Sequence, residues 1–136
     1  MSVKEFRKEK AWQIAHRMVL SVYGATKRTG RDEYPLLTAN IRATATEIAA
    51  TIAVAYACHT KKESTAKFKT ALNLAAQLES YLWLTRDLGG LDLPTLTLLL
   101  NELQETRTQI NAASSKGAFL NKDTSPRPMP RGKVPF

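Results

Sequence analysis

Apolar residues recur at three- and four-residue steps through most of this chain, and glycine and proline interrupt the recurrence three times. The spacing predicts four amphipathic helices. In the first, over about residues 3–29, Ala11, Ile14 or Ala15, Met18, Val22 and Ala25 share one face. Trp12, His16, Val19 or Leu20, and Tyr23 repeat the spacing on an adjacent face. One apolar face is enough to join a bundle, so the second predicts either deep burial or a further partner surface. Gly30 marks the end of the segment.

Pro35 opens the second helix, because its fixed φ and missing N–H suit a first turn. Leu37, Ile41, Ala45, Ile48, Ile52 and Tyr56 form the stripe of this helix, which runs to about His59. Its other positions are mostly Ala and Thr, and Arg42 and Glu47 are its only charges, which predicts burial on more than one side. HTKKEST at 59–65 is the next turn, with Ser64 or Thr65 as the expected cap of the third helix. Phe68, Ala71, Leu72, Ala75, Leu78 or Glu79, Leu82 and Thr85 make its stripe, while Tyr81, Trp83 and Leu84 fall off it. Gly89 and Gly90 stop that helix, and Asp92 caps the fourth. There Leu96, Leu99, Leu100, Leu103, Ile110 and Ala113 face inward, up to Gly117.

Short connections force sequential helices to run antiparallel. The expected fold is therefore all-α: an antiparallel up-down four-helix bundle over residues 1–116. Residues 117–136 hold four of the six prolines and read as a flexible, basic, Pro-rich tail carrying Lys122, Arg127, Arg131 and Lys133.

Charge adds a direction to this picture. Twenty Lys and Arg against 12 Asp and Glu give a net charge of +8 over 136 residues, which favours acidic partners. In an up-down bundle, one end collects the start of helix one, the turn between helices two and three, and the end of helix four. Lys4, Arg7, Lys8, Lys10, Lys61, Lys62, Lys67, Lys69, Lys116 and Lys122 stand there against Glu5, Glu9, Glu63 and Asp123. At the other end Lys27, Arg28, Arg31 and Arg86 meet Asp32, Glu33, Asp87 and Asp92, and the charges cancel. A Lys-rich end suits point contacts with a phosphate backbone, RNA or DNA, more than bidentate base reading.

Catalytic patterns are missing from the sequence. His16 and His59 fall on different helices, and Cys58 adjoins only the second, which is poor zinc spacing. Cys58 reads as a small buried hydrophobe, and His16 as part of the apolar stripe with a hydrogen-bond partner. No Glu-x-x-His pair or phosphate-cradling glycine loop occurs. The expectation is a protein that is not an enzyme and uses no cofactor or metal. The single cysteine, the absence of a membrane-length apolar run and a charged N-terminal stretch fit the cytoplasm. Trp12, Tyr23, Tyr81 and Trp83 are able to stack bases. Their placement inside helices and off the basic end instead assigns them, with His16, to an oligomer interface.

Several short stretches carry a resemblance. AWQIAHRMVLSVY (11–23), EYPLL (33–37), NIRATATEIAATIA (40–53) and LESYLWLTRDLG (78–89) resemble the bacterial four-helix-bundle proteins encoded in intervening sequences of 23S ribosomal RNA genes. Trp12, Ala15-His16 and Val22-Tyr23 match that family's opening, and Ile41, Arg42 and Ala43 its second helix. Val54-Ala55 stands where the family carries Glu-Gly. The family includes the accessory variability proteins of diversity-generating retroelements, which are homopentamers that bind nucleic acid and a reverse transcriptase. The resemblance thus implies a homopentamer and a reverse-transcriptase partner. The alternative is an intervening-sequence-type scaffold for protein interaction that binds no nucleic acid.

Overall fold

The structure, a computed structural model, describes residues 5–27 and 33–116. A 3-10 turn (Phe6–Lys8) precedes four helices: α1 (Lys10–Lys27), α2 (Pro35–Ala57), α3 (Lys61–Asp87) and α4 (Leu93–Lys116). The expected first helix is thus shorter. Its chain breaks at Glu9, which takes an extended conformation while its N–H closes the 3-10 turn on the Phe6 carbonyl. Gly30, and the charged residues Arg28, Arg31 and Asp32, lie outside the described residues, as do the tail 117–136 and Lys4.

Each helix packs on its two neighbours in cyclic order: α1 on α2, α2 on α3, α3 on α4 and α4 on α1. This is the up-down bundle that the pattern predicted. The largest fully buried side chains come from all four helices: Met18 and Val22; Ile41, Ile48 and Ile52; Phe68, Leu78 and Leu82; Leu96, Leu99, Leu103 and Ile110. Ala45, Ala55, Ala71 and Ala75, all fully buried, let α2 and α3 approach closely along the most extensive contact of the bundle. α2 is buried across a wide arc, as its scarcity of charge foretold; Thr44, Ala49 and Thr51 join its apolar stripe. Leu37, Leu72, Leu100, Ala25 and Ala113 sit half-buried at the rim of the core.

Local chemistry fixes the helix ends. Pro35 stands in the first turn of α2 as expected. Thr60, rather than Ser64 or Thr65, caps α3: its hydroxyl oxygen accepts the Glu63 N–H at 3.1 Å. Ser64 is instead buried inside the first turns of α3. Asp92 caps α4, its carboxylate accepting the Thr95 N–H at 2.8 Å. Between them, Gly89 takes φ +88, a backbone region costly for any side chain, and ends α3. The Tyr34 hydroxyl donates to the Leu88 carbonyl at 3.1 Å and ties the start of α2 to this turn. No helix among the described residues is long and apolar enough to cross a membrane.

Candidate nucleic-acid interface

Antiparallel packing brings the 3-10 turn, the start of α1 and the α2–α3 turn to one end of the bundle, where the 3-10 turn also packs on α2. The floor of this end is aromatic. Tyr56, at the end of α2, meets Phe68 of α3 edge-on, with centroids 5.5 Å apart and planes at 88°. Burial pushes the Tyr56 phenol up to about 12, and the nearby Glu9 carboxylate adds to the shift.

Cations stand around that floor. Lys8, Lys10, Lys61, Lys62, Lys67 and Lys69 are all exposed, and none has an ion-pair partner among the described residues. Arg7 is exposed too, but its guanidinium grips Glu5 through two hydrogen bonds of 3.1 and 3.2 Å. Arg7 holds the Glu5 carboxyl below its ordinary range, chiefly through those bonds. Arg7 is thus partly neutralised, and among the described residues the free charge of this end rests on the six lysines. Seven of the ten expected cations are brought together. Lys4 and Lys122 lie outside the described residues, and of Lys116 only the backbone, closing α4, is described.

Local folding accounts for the cluster. Cys58 and Thr60 leave helical geometry with extended backbones, so the chain reverses in three residues. Lys61 and Lys62 then fall in the first turn of α3, next to the single first-turn acid, Glu63. The helix macrodipole is positive there, so these cations are held at a position that disfavours them.

The expected interface residues divide. Tyr23, Tyr81 and Trp83 lie in the half of the bundle away from the lysines, and Trp12 and His16 lie beside them. The sequence puts Trp12, Tyr23, Tyr81 and Trp83 off the basic end, and for Trp12 the structure differs. Phe6 of the 3-10 turn packs against its ring at 5.4 Å, which carries Trp12 into the basic end. His16 is not in the core. It is exposed, with its imidazole stacked on the Trp12 ring at 4.5 Å and 20°. The Tyr23 ring is covered by the Arg42 guanidinium at 4.8 Å, which is itself anchored on the Thr26 hydroxyl at 2.7 Å.

The far half carries a feature that periodicity alone did not locate. Among the described residues nine large hydrophobic side chains are exposed, and eight of them (all but Val54) lie in this half: Leu20, Tyr23, Leu36, Trp83, Leu84, Leu88, Leu93 and Leu98. Leu36 is 73% exposed and Leu20 60%. The bundle therefore has a basic end and an apolar half.

No group of three potential metal ligands occurs among the described residues. Cys58 is half-buried, not fully buried as expected; its thiol points to the Val54 carbonyl at 3.3 Å, and burial pushes its pKa up, away from a nucleophilic thiolate. Glu79 pairs with Arg107 of α4 at 2.6 Å.

A small helical bundle with one lysine-rich end is the class that fold and charge define. The model of the 23S rRNA-intervening sequence protein family matches residues 7–112, from the 3-10 turn to the last turns of α4. The chain belongs to that family, the one its short motifs resemble. None of the curated proteins matches it significantly.

Proposed function

We propose that this protein is a non-catalytic, cytoplasmic nucleic-acid-binding bundle that grips phosphate backbones through its lysine end and self-associates through its apolar half. The observation that carries the binding reading is the set of six exposed lysines, without an ion-pair partner among the described residues, contributed by the 3-10 turn and the starts of α1 and α3. Several cations presented together release several counterions at once, and that release drives binding with little regard to sequence. Self-association is supported by the one-sided distribution of exposed apolar side chains, among them Trp83 and Tyr23, with half-buried Tyr81 nearby. The resemblance to accessory variability proteins extends the proposal to a homopentamer that serves a reverse transcriptase.

The test is binding of a labelled structured RNA and a DNA duplex across a salt series, with the mass of the free protein measured by light scattering. Tight binding that weakens steeply with salt, from an oligomer, supports the reading. An oligomer that binds neither at moderate salt refutes it and leaves a scaffold whose charge serves solubility.

A further inference from the structure

We infer that the Trp12–His16 stack is a base-stacking platform, so that the basic end prefers unpaired nucleotides to duplex; this inference rests on the nucleic-acid reading above. The stack has the geometry of a platform. Trp12 is half-buried, and Phe6 packs against its ring at 5.4 Å and an angle of 63°, so it is held in place. Gln13 donates its amide to the Arg7 carbonyl at 2.8 Å, which binds the 3-10 turn carrying Phe6 to α1. His16 is exposed and lies within 20° of parallel to Trp12, which covers one face of the imidazole. A planar base set on the other face would extend a stack the protein has already built.

The electrostatic surroundings suit a polyanion carrying that base. α1 has Lys10, Arg17 and Lys27 and no carboxylate along its whole length. Lys10 and Arg17 are exposed on either side of the stack in sequence, and Lys8 stands one residue before the carboxylate of Glu9. The Glu9 carboxylate lies near enough to Tyr56 of α2 to raise its phenol. Tyr23, whose ring carries the Arg42 guanidinium at 4.8 Å, lies in the half of the bundle away from the lysines. Duplex nucleic acid keeps its bases inside, whereas a single strand presents them to an aromatic surface. The platform therefore separates Trp12 and His16 from the residues that join subunits.

The test uses the full chain with Trp83→Phe, which leaves Trp12 as the sole tryptophan. Its emission is titrated with oligothymidylate and with an abasic strand of the same length and charge. Oligothymidylate is expected to quench Trp12 and the abasic strand to leave it unchanged. Combining Trp12→Leu with His16→Ser should lower oligothymidylate affinity by roughly tenfold without changing abasic affinity, and His16→Phe alone, which keeps a flat ring, should retain it. Equal affinity for both strands with unmoved emission overturns the platform and leaves the basic end standing. Failure of both strands to bind at low salt overturns the nucleic-acid reading itself, and the platform with it. A change in solution mass in the Trp12→Leu, His16→Ser protein assigns the stack to a subunit contact and also overturns the proposal. The emission titration needs neither of those two substitutions, so it decides even if that variant misfolds.

Discussion

Neutralising four lysines should weaken nucleic-acid binding and strengthen the fold at the same time. The variant is Lys61→Gln, Lys62→Gln, Lys67→Gln and Lys69→Gln. All four side chains are exposed, and Gln has nearly the helix propensity of Lys, so helicity should not change. Lys61 and Lys62 occupy the first turn of α3, where the positive end of the macrodipole repels them. Relieving that repulsion should stabilise the protein by about 1 kcal/mol for the pair, or roughly 4 °C in Tm for a chain of this size.

Binding should move the other way. With six free lysines each on one duplex phosphate, log affinity should fall against log salt with a slope of about −5, and with two remaining, about −2. A fourfold rise in salt would then weaken the parent about a thousandfold and the variant only about tenfold. Fluorescence anisotropy of a labelled duplex over a salt series gives the slope, and thermal unfolding followed by circular dichroism gives Tm. The two readouts are independent. An unchanged salt slope would refute the lysine end as the binding surface. A lower Tm would refute the claim that these lysines are held against the interest of the fold.

Three further outcomes test the rest of the description. A Cβ built on Gly90 would stand 2.9 Å from Cγ2 of Thr85, so Gly90→Ala should lose stability on the order of 1 kcal/mol in denaturant titration, and Thr85→Ser, which removes that methyl, should restore part of it. Tyr56 titrates near 10 when unfolded and at about 12 when folded, so the unfolded chain ionises first; its contribution is fully present below pH 10 and is lost as the pH rises from 10 to about 12. Tyr56→Phe should therefore flatten alkaline destabilisation in that window, and an unchanged pH profile would contradict the burial of the phenol. Leu36→Gln with Leu84→Gln, on the apolar half, should shift the solution mass to that of a monomer without loss of helicity, and an unaltered mass would move the subunit contact elsewhere.

The fold was legible because the heaviest apolar residues are spaced for it. Met18, Ile48, Phe68, Leu82 and Leu103 are each fully buried where a helical stripe puts them. The pattern passed over Thr106, which is also fully buried. A threonine is polar in sequence, but its hydroxyl donates to the Glu102 carbonyl one turn back at 2.9 Å, and so it enters the core with its hydrogen bond made. Thr85 does the same on the Tyr81 carbonyl at 2.8 Å. The cap of α3 was displaced because Thr60, Ser64 and Thr65 are all chemically competent, and only the reversal of the chain after Cys58 selects the first. The lysine cluster could be read from connectivity alone. The position of Trp12 could not, because it depends on the break at Glu9 that folds Phe6 back onto the indole ring.

The two halves of the bundle have a joint consequence. If copies associate through Leu36, Leu84 and their neighbours, the lysine ends remain free and are repeated across one assembly. A strand long enough to reach two such ends binds the second at the effective concentration set by its own length, so affinity rises without any new contact. A strand too short to bridge gains nothing. The Leu36→Gln, Leu84→Gln protein keeps every lysine, and on a short strand it should bind like the parent. On a long strand it should lose the gain from multiple ends, by a factor of about 100 or more where bridging is efficient. Equal losses on both strands would mean that the apolar half shapes each lysine end directly. Equal retention on both would mean that the lysine ends of different copies never share a strand.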